Sequence, residues 1–102
     1  MADIKQARTA LIARIVKGDA QASVAQRHAA FDNTGLSGSL RTLVDKVVRH
    51  APRVTDGDVG AARIAGLTED QVFEIVVCAA IGQANRQYES ACAALEAAIP
   101  KG

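Results

Sequence analysis

The sequence predicts an all-α fold: a compact helical bundle of about five helices in one domain, residues 1–102, with a long buried C-terminal helix. Of the 102 residues, 21 are alanine, which favours helices and packs poorly in sheets. Hydrophobic residues make up 49% and charged residues 23%, the balance of a globular protein. Apolar residues recur at helical spacing and show no strand-like alternation.

Two helices are predicted in the N-terminal half. Asp3 is expected to cap the first helix, which runs to about Lys17 and ends at Gly18. Asp19 is expected to cap the second, which reaches about Phe31. The predicted apolar faces are Ile4, Leu11 and Ile15 in the first helix and Val24, His28 and Phe31 in the second.

A polar loop over residues 32–38 leads to a third helix, opened by Ser37 or Ser39 and carrying Leu40, Leu43, Val44 and Val47 at helical spacing. Pro52 disfavours helical geometry at the residue before it, so this helix should stop near His50. Thr55 can cap a short helix over about residues 56–65, which Gly66 ends.

The last helix is predicted to begin at the capping box Thr68-Glu69-Asp70-Gln71 and to run to Ala98. At 1.5 Å per residue it would be about 45 Å long, so it either bends near Gly82 or packs its second half on another subunit. Its stretch from Val72 to Ile81 is apolar except for Glu74, which is typical of a buried central helix.

Two rows of residues follow this helix at alternating spacings of four and three. We call the first the alanine seam: Phe73, Val77, Ala80, Ala84, Gln87, Ala91, Ala94 and Ala98. The second, the tyrosine seam, is Glu74, Cys78, Ile81, Asn85, Tyr88, Cys92, Leu95 and Ile99. Two seams favour contacts with both the domain itself and a second subunit, so we predict a homo-oligomer; a single-chain bundle core is the alternative.

Charge and targeting signals exclude several classes. The net charge of +1 gives no basic patch for nucleic acid or an acidic membrane surface, and no apolar run is long enough to span a bilayer. The N-terminus lacks the pattern of a signal peptide. With only Cys78 and Cys92, a disulfide scaffold is excluded, and we expect a cytoplasmic protein with neither nucleic-acid nor membrane partners.

The stretch Arg49-His50-Ala51-Pro52-Arg53-Val54-Thr55-Asp56-Gly57-Asp58-Val59, followed by Ala65-Gly66-Leu67-Thr68 and then by Cys78-Ala79-Ala80-Ile81-Gly82, resembles the alkylhydroperoxidase D-like superfamily, which includes the carboxymuconolactone decarboxylases. The resemblance covers about residues 49–95. It implies an all-helical fold that assembles into trimers, hexamers or similar rings.

The peroxidase branch of this superfamily places a glutamate in the buried helix, cysteines 12 and 15 residues later, and a histidine at 19. Glu74 matches the glutamate, but those positions hold Arg86, Glu89 and Ala93 here. The chain therefore lacks the redox cysteine pair, and we expect a divergent, non-peroxidatic oligomer.

Glu74 remains the central candidate. Desolvation among apolar neighbours suits a carboxylate to acid–base work, as in a cofactor-free decarboxylase; alternatively Glu74 forms a structural ion pair with Arg49, Arg53 or Arg86. His50 is the second candidate catalytic residue. Arg49, Arg53 and Arg86 are candidate anchors for a small organic acid.

No metal or other cofactor is expected, because neither His28 nor His50 has partners at metal-ligand spacing. A third alternative is a DNA-binding helix-turn-helix over residues 55–81. Its second helix begins with Glu69 and Asp70, which repel phosphates, and continues with core residues.

Overall fold

A computed structural model describes residues 2–99, with side chains from Lys5 to Ile99. Within this part of the chain the all-α prediction is confirmed: there are five α-helices and no strand. The helices are α1 (Ala2–Lys17), α2 (Val24–Asp32), α3 (Gly38–His50), α4 (Asp56–Ile64) and α5 (Glu69–Ala98), with a short 3-10 turn at Ala51–Arg53.

The predicted helix starts are confirmed in the C-terminal half. The Thr55 hydroxyl accepts from the N–H of Asp58 while the Asp58 carboxylate accepts from the N–H of Thr55. Thr68 and Gln71 exchange the same two bonds at the start of α5. Such capping boxes satisfy N–H groups that would otherwise lack a partner at the first turn. The third helix ends at His50, as Pro52 predicts.

The predicted starts in the N-terminal half are wrong. α1 already includes Ala2, so Asp3 lies within the helix; its side chain is outside the described part. α2 begins not after Asp19 but at Val24, where the Ser23 hydroxyl accepts from the N–H of Gln26. Residues 18–23 form a loop between α1 and α2. Two backbone N–H groups of this loop bond to the side chain of Glu74 on α5.

The core lies where the first half of α5 meets α2, α3 and α4. One buried cluster joins α2, α3 and α5, and a smaller one joins α3, α4 and α5. The first consists of Ala22, Ala30, Val44, Ile75, Cys78 and Ala79, and the second of Leu43, Ala62 and Val72. Burial of these apolar side chains is the main stabilising contribution in so small a domain.

Helix α5 continues unbroken through Gly82, and the molecule is elongated, with principal extents of 58 × 29 × 20 Å. Its buried residues are Val72, Ile75, Cys78, Ala79 and Gly82, so all of them lie in its first half. The first half of α5 is not buried on all sides, contrary to what its apolar sequence suggests, because Phe73 is 68% exposed and Ala80 is also exposed. The helix has one buried face and one solvent face.

The predicted apolar faces of α1 and α2 also need correction. Leu11 is half exposed, and in α1 it is Val16 that is buried. In α2, Val24 and His28 are exposed, whereas Arg27 and Ala30 are buried. The alternative face is used because α2 packs closely on α5 at Gly82, and this turns Ala30 inward. Among the described residues, no helix is long and apolar enough to cross a bilayer.

Candidate functional site

The Glu74 carboxylate is bonded to backbone amides. Glu74 lies on α5 and is half-buried. Both of its oxygens accept from the N–H of Gln21, at 2.6 and 2.9 Å, and both accept from the N–H of Ala22, at 3.4 and 3.1 Å. One turn earlier on α5, the Gln71 side-chain amide donates to the carbonyl oxygen of Gln21 at 3.1 Å. Two side chains of α5 thus hold the loop between α1 and α2.

These amides replace the arginine predicted as the partner of Glu74. Arg49 instead pairs with Asp45, with 2.8 Å between its Nε and a carboxylate oxygen. Arg86 donates from Nη1 to the carbonyl oxygen of Phe31 at 2.6 Å and from Nη2 to Gln83 at 3.1 Å. The acid is held by hydrogen bonds to neutral donors, which strengthens its structural role.

Sequence reasoning missed Arg27, the buried charged residue beside Glu74. Arg27 is only 3% exposed. Its Nε donates to the carbonyl oxygen of Ala22, and its Nη1 donates to that of Ile15, both at 3.1 Å. Ile15 lies in the last turn of α1, where carbonyl groups lack helical partners and a cation is favourable. No local pattern in the sequence signals this burial, because the carbonyl groups that accept from Arg27 belong to the end of α1 and to the loop before α2.

Cys78 lies in the core near these two charges. Its thiol donates to the carbonyl oxygen of Ile15 at 3.7 Å. Burial raises the pKa of the Cys78 thiol; the nearby Arg27 opposes this rise, and the negative charge of Glu74 adds to it. The thiol is therefore held neutral, which is unfavourable for a nucleophile or a peroxidatic cysteine.

A small open pocket of about 220 Å³ borders Glu74. It combines apolar walls with charged side chains. Its lining is Arg14, Ile15, Asp19, Ala20, Arg27, Phe73, Glu74 and Val77. The pocket therefore places two carboxylates, Asp19 and Glu74, near two arginine side chains and beside apolar ones.

Three of the predicted site residues meet elsewhere. Arg49, His50 and Arg86 border an open depression of about 590 Å³ between the end of α3 and α5. Asp32, Asn33, Val48, Gln83 and Gln87 complete its lining. Arg53 is exposed on the 3-10 turn and borders neither this depression nor the pocket at Glu74. The structure therefore does not bring His50 and Glu74 together in one pocket.

Apart from this pocket and this depression, a cleft lies between α1 and the later part of α5. The guanidinium of Arg8 lies over the ring of Tyr88, 4.7 Å from its centre, and bonds to the side-chain oxygen of Asn85. A hydrogen bond with the thiol of Cys92 raises the pKa of Tyr88. These contacts attach α1 to α5 beyond the core. Among the side chains that the structure describes, residues 5–99, no three His, Cys, Asp or Glu side chains group in a way that could hold a metal ion.

Comparisons with protein-family models, curated proteins and solved structures return no match for this chain. The resemblance to the alkylhydroperoxidase D-like superfamily stays a prediction.

Proposed function

We propose that the chain is the subunit of a cytoplasmic helical homo-oligomer, a divergent alkylhydroperoxidase D-like protein without peroxidase chemistry. The observation that carries this proposal is the exposure of the alanine seam. Seven of its eight residues are exposed and Val77 is half-buried. A solvent face of a helix in a stable monomer normally carries charges, and this seam carries none from Phe73 to Ala98.

The direction of the seam supports an interface between subunits. At 100° per residue, the alanine seam lies on the side of α5 opposite Ile75, Cys78 and Gly82, which face the core. Further apolar surface lies beside it, because Tyr88 is 46% and Leu95 62% exposed. Covering apolar surface stabilises by about 25 cal/mol per Å², and alanines let a second helix approach closely.

The cysteines support the absence of peroxidase chemistry. Cys78 is buried with a raised pKa, and Cys92 lies 14 residues later on the same helix, about 21 Å away. A disulfide requires Cα atoms less than about 7 Å apart, so the two thiols of one chain cannot form the bond on which a peroxidase cycle depends. Both cysteines are free thiols, in keeping with a reducing compartment.

Light scattering tests the assembly. We expect a mass at least twice the 10.6 kDa of the chain. Ala84→Glu places a charge in the middle of the seam and should shift the mass towards that of the monomer. Ala61→Glu, on the exposed side of α4, is the matched control and should leave the mass unchanged. A monomeric wild-type protein at micromolar concentration would overturn the proposal.

Peroxide consumption with a thiol reductant tests the chemistry. We expect no activity above background. Robust turnover that disappears in the Cys92→Ser variant would contradict the non-peroxidatic assignment.

The pocket beside Glu74 favours a second candidate, a cofactor-free enzyme of the carboxymuconolactone decarboxylase type. In this alternative Glu74 transfers a proton and Arg14 and Arg27 attract the carboxylate of a small organic acid. Titration with small mono- and dicarboxylic acids, followed by amide NMR, tests it. This candidate requires saturable shifts at Gln21, Ala22 and Phe73 that Glu74→Gln abolishes. Shifts confined to Arg49, His50 and Arg86 would instead indicate binding in the depression between the end of α3 and α5.

DNA binding is not proposed. The helix that would enter the groove is α5, and its exposed first turn carries Glu69 and Asp70. These carboxylates would face the phosphates, and Val72 and Ile75 behind them are buried.

A further inference from the structure

Arg27 is a buried cation without an ion-pair partner in the described part of the chain. It is 3% exposed, and no carboxylate oxygen of residues 5–99 lies within 4.0 Å of its guanidinium. The carbonyl oxygens of Ala22 and Ile15 satisfy its Nε and Nη1 but do not balance its charge. Because a buried charge is costly without an opposite charge nearby, the position favours an anionic group beside Arg27.

The second Nη atom of Arg27 is free to bind such a group. Among the described residues, no group accepts from Nη2, and the one buried side-chain atom that lacks a hydrogen bond is Nε of Arg8. Solvent therefore reaches Nη2 of Arg27, which borders the pocket of about 220 Å³ at Glu74. A guanidinium that two hydrogen bonds hold in place presents its remaining donor in a fixed direction, which suits a carboxylate.

The lining of this pocket carries two charges of each sign. Arg14 and Arg27 are the cations, and Asp19 and Glu74 are the anions. Both oxygens of Glu74 already accept from backbone N–H groups, whereas the described residues give the exposed Asp19 carboxylate no ion pair and no hydrogen bond. A ligand with a net charge would leave that charge unbalanced here, and a ligand with one charge of each sign would not.

We propose that the pocket binds a small apolar α-amino acid as its zwitterion. Nη2 of Arg27 donates to the carboxylate of the ligand, and Asp19 accepts from its ammonium group. The apolar side chain of the ligand packs on Phe73 and Val77, which border the same pocket. Binding of this ligand requires neither the oligomer nor a proton transfer, so it goes beyond the functions proposed above.

The size and the walls of the pocket suit a ligand of this class. Its volume of about 220 Å³ is below the range of about 300–1,000 Å³ that is usual for drug-sized ligands. The apolar part of the wall comes from α1, the loop before α2 and α5, through Ile15, Ala20, Phe73 and Val77. An organic acid of the same size would leave Asp19 without a partner, and an amine would leave Arg27 without one. An amino acid satisfies both.

Titrations with three ligands that share one side chain test the proposal. Leucine carries both charges, N-acetylleucine carries only the carboxylate, and leucinamide carries only the ammonium group. Amide and arginine side-chain NMR of the full chain follows the binding. With leucine we expect saturable shifts of the Nε–H of Arg27 and of the backbone N–H of Phe73. The other two ligands should bind at least about tenfold more weakly, because each lacks one hydrogen bond between charged groups.

Asp19→Asn removes the expected partner of the ammonium group at an exposed position, so the variant should fold normally. It should weaken leucine binding at least about tenfold and leave the affinity for N-acetylleucine unchanged. Asp56→Asn, at an exposed aspartate of α4 outside the pocket, is the matched control and should bind leucine as the wild type does. Arg27→Lys keeps the charge but loses the forked donor, and it should weaken both leucine and N-acetylleucine.

Four outcomes decide the proposal. Leucine binding that is tighter than that of both analogues and depends on Asp19 supports it. Equal affinities for leucine and N-acetylleucine would overturn it in favour of an organic-anion site, as the enzyme alternative requires. Equal affinities for leucine and leucinamide would overturn it in favour of an amine site. The absence of saturable shifts with leucine would overturn it altogether, whatever mass light scattering gives for the assembly.

Discussion

Gly82 on α5 lies so close to the carbonyl oxygen of Phe31 on α2 that an added Cβ atom would overlap it. The two helices therefore touch backbone to backbone. One turn later on α5, Arg86 donates to the same carbonyl oxygen at 2.6 Å, which satisfies a group in the last turn of α2. The absence of a side chain at Gly82 and the long side chain of Arg86 together fix where α2 crosses α5.

This contact predicts that Gly82→Ala destabilises the protein, although alanine is the better helix former. The methyl group would push α2 away from the core, and overpacking of this kind costs about 1–3 kcal/mol. Gly60→Ala in α4 is the matched control, because open space surrounds its Cβ position. It should stabilise by about 0.5–1 kcal/mol. Denaturant unfolding at fixed protein concentration measures both; equal effects would refute the close crossing.

The amide contacts of Glu74 predict a loss of stability in Glu74→Gln. The substituted side chain keeps one acceptor oxygen and turns an NH₂ group towards the N–H donors of Gln21 and Ala22. Leaving such a group without a partner costs about 1–3 kcal/mol. Glu96→Gln, an exposed change later on α5, should be close to neutral. Thermal melts at neutral pH compare the two variants; a Glu74→Gln protein as stable as wild type would contradict the structural role.

The hydrogen bonds that Asp58 accepts predict that part of the stability of the folded protein is lost at acidic pH. Hydrogen bonds from Lys46 and from the Thr55 backbone lower the pKa of Asp58 below the ordinary value of 3.8. A carboxyl group with a lower pKa in the folded state stabilises at pH values above the unfolded pKa. That contribution is lost as the pH falls through the folded pKa. The stability difference between wild type and Asp58→Asn should thus be present at pH 6 and shrink below about pH 4.

A series of melts from pH 7 to pH 2.5 measures this difference. Asp56→Asn is the control, because Asp56 shares the first turn of α4 with Asp58. A difference between wild type and Asp58→Asn that stays constant down to the lowest pH would rule out the charge effect.

The two cysteines should differ in reactivity. Cys78 is buried and its pKa is raised, whereas Cys92 is half-buried. Brief treatment of the native protein with iodoacetamide at pH 8 should alkylate Cys92 and leave Cys78 unmodified, because the thiolate is the reactive form. Peptide mass spectrometry identifies the site, and unfolding in urea should make both react. Rapid native labelling of Cys78 would show that this part of the core opens readily.

The sequence carried most of the information on the C-terminal half of the fold. Thr55 and Thr68 each stand three residues before a side chain that can complete a capping box, and Pro52 allows few conformations before it. Signals of this kind depend on residues close in the chain, so they can be recognised without knowledge of the tertiary structure.

The loop before α2 could not be predicted in this way. Asp19 is a good helix cap by residue type, but its helix does not form, because the N–H groups of Gln21 and Ala22 bond to Glu74, more than 50 residues away. Arg27 was missed for a related reason. A charged residue is expected at the surface, and only the end of α1 beside it explains its burial. The candidate site could not be predicted in full because it depends on contacts between residues far apart in the sequence. The fold class could be predicted because it depends on local patterns.

The buried residues of α5 all lie in its first half, and this has a consequence for the opening motions of the helix. In an isolated subunit, amide hydrogens from Val72 to Gly82 can exchange with solvent only when the core opens, whereas those from Ser90 to Ala98 can exchange by fraying of the helix end. Association would remove that difference by covering the frayed end. Residues 90–98, about two and a half turns, would then take on the exchange protection of the core and become part of the same cooperative unit.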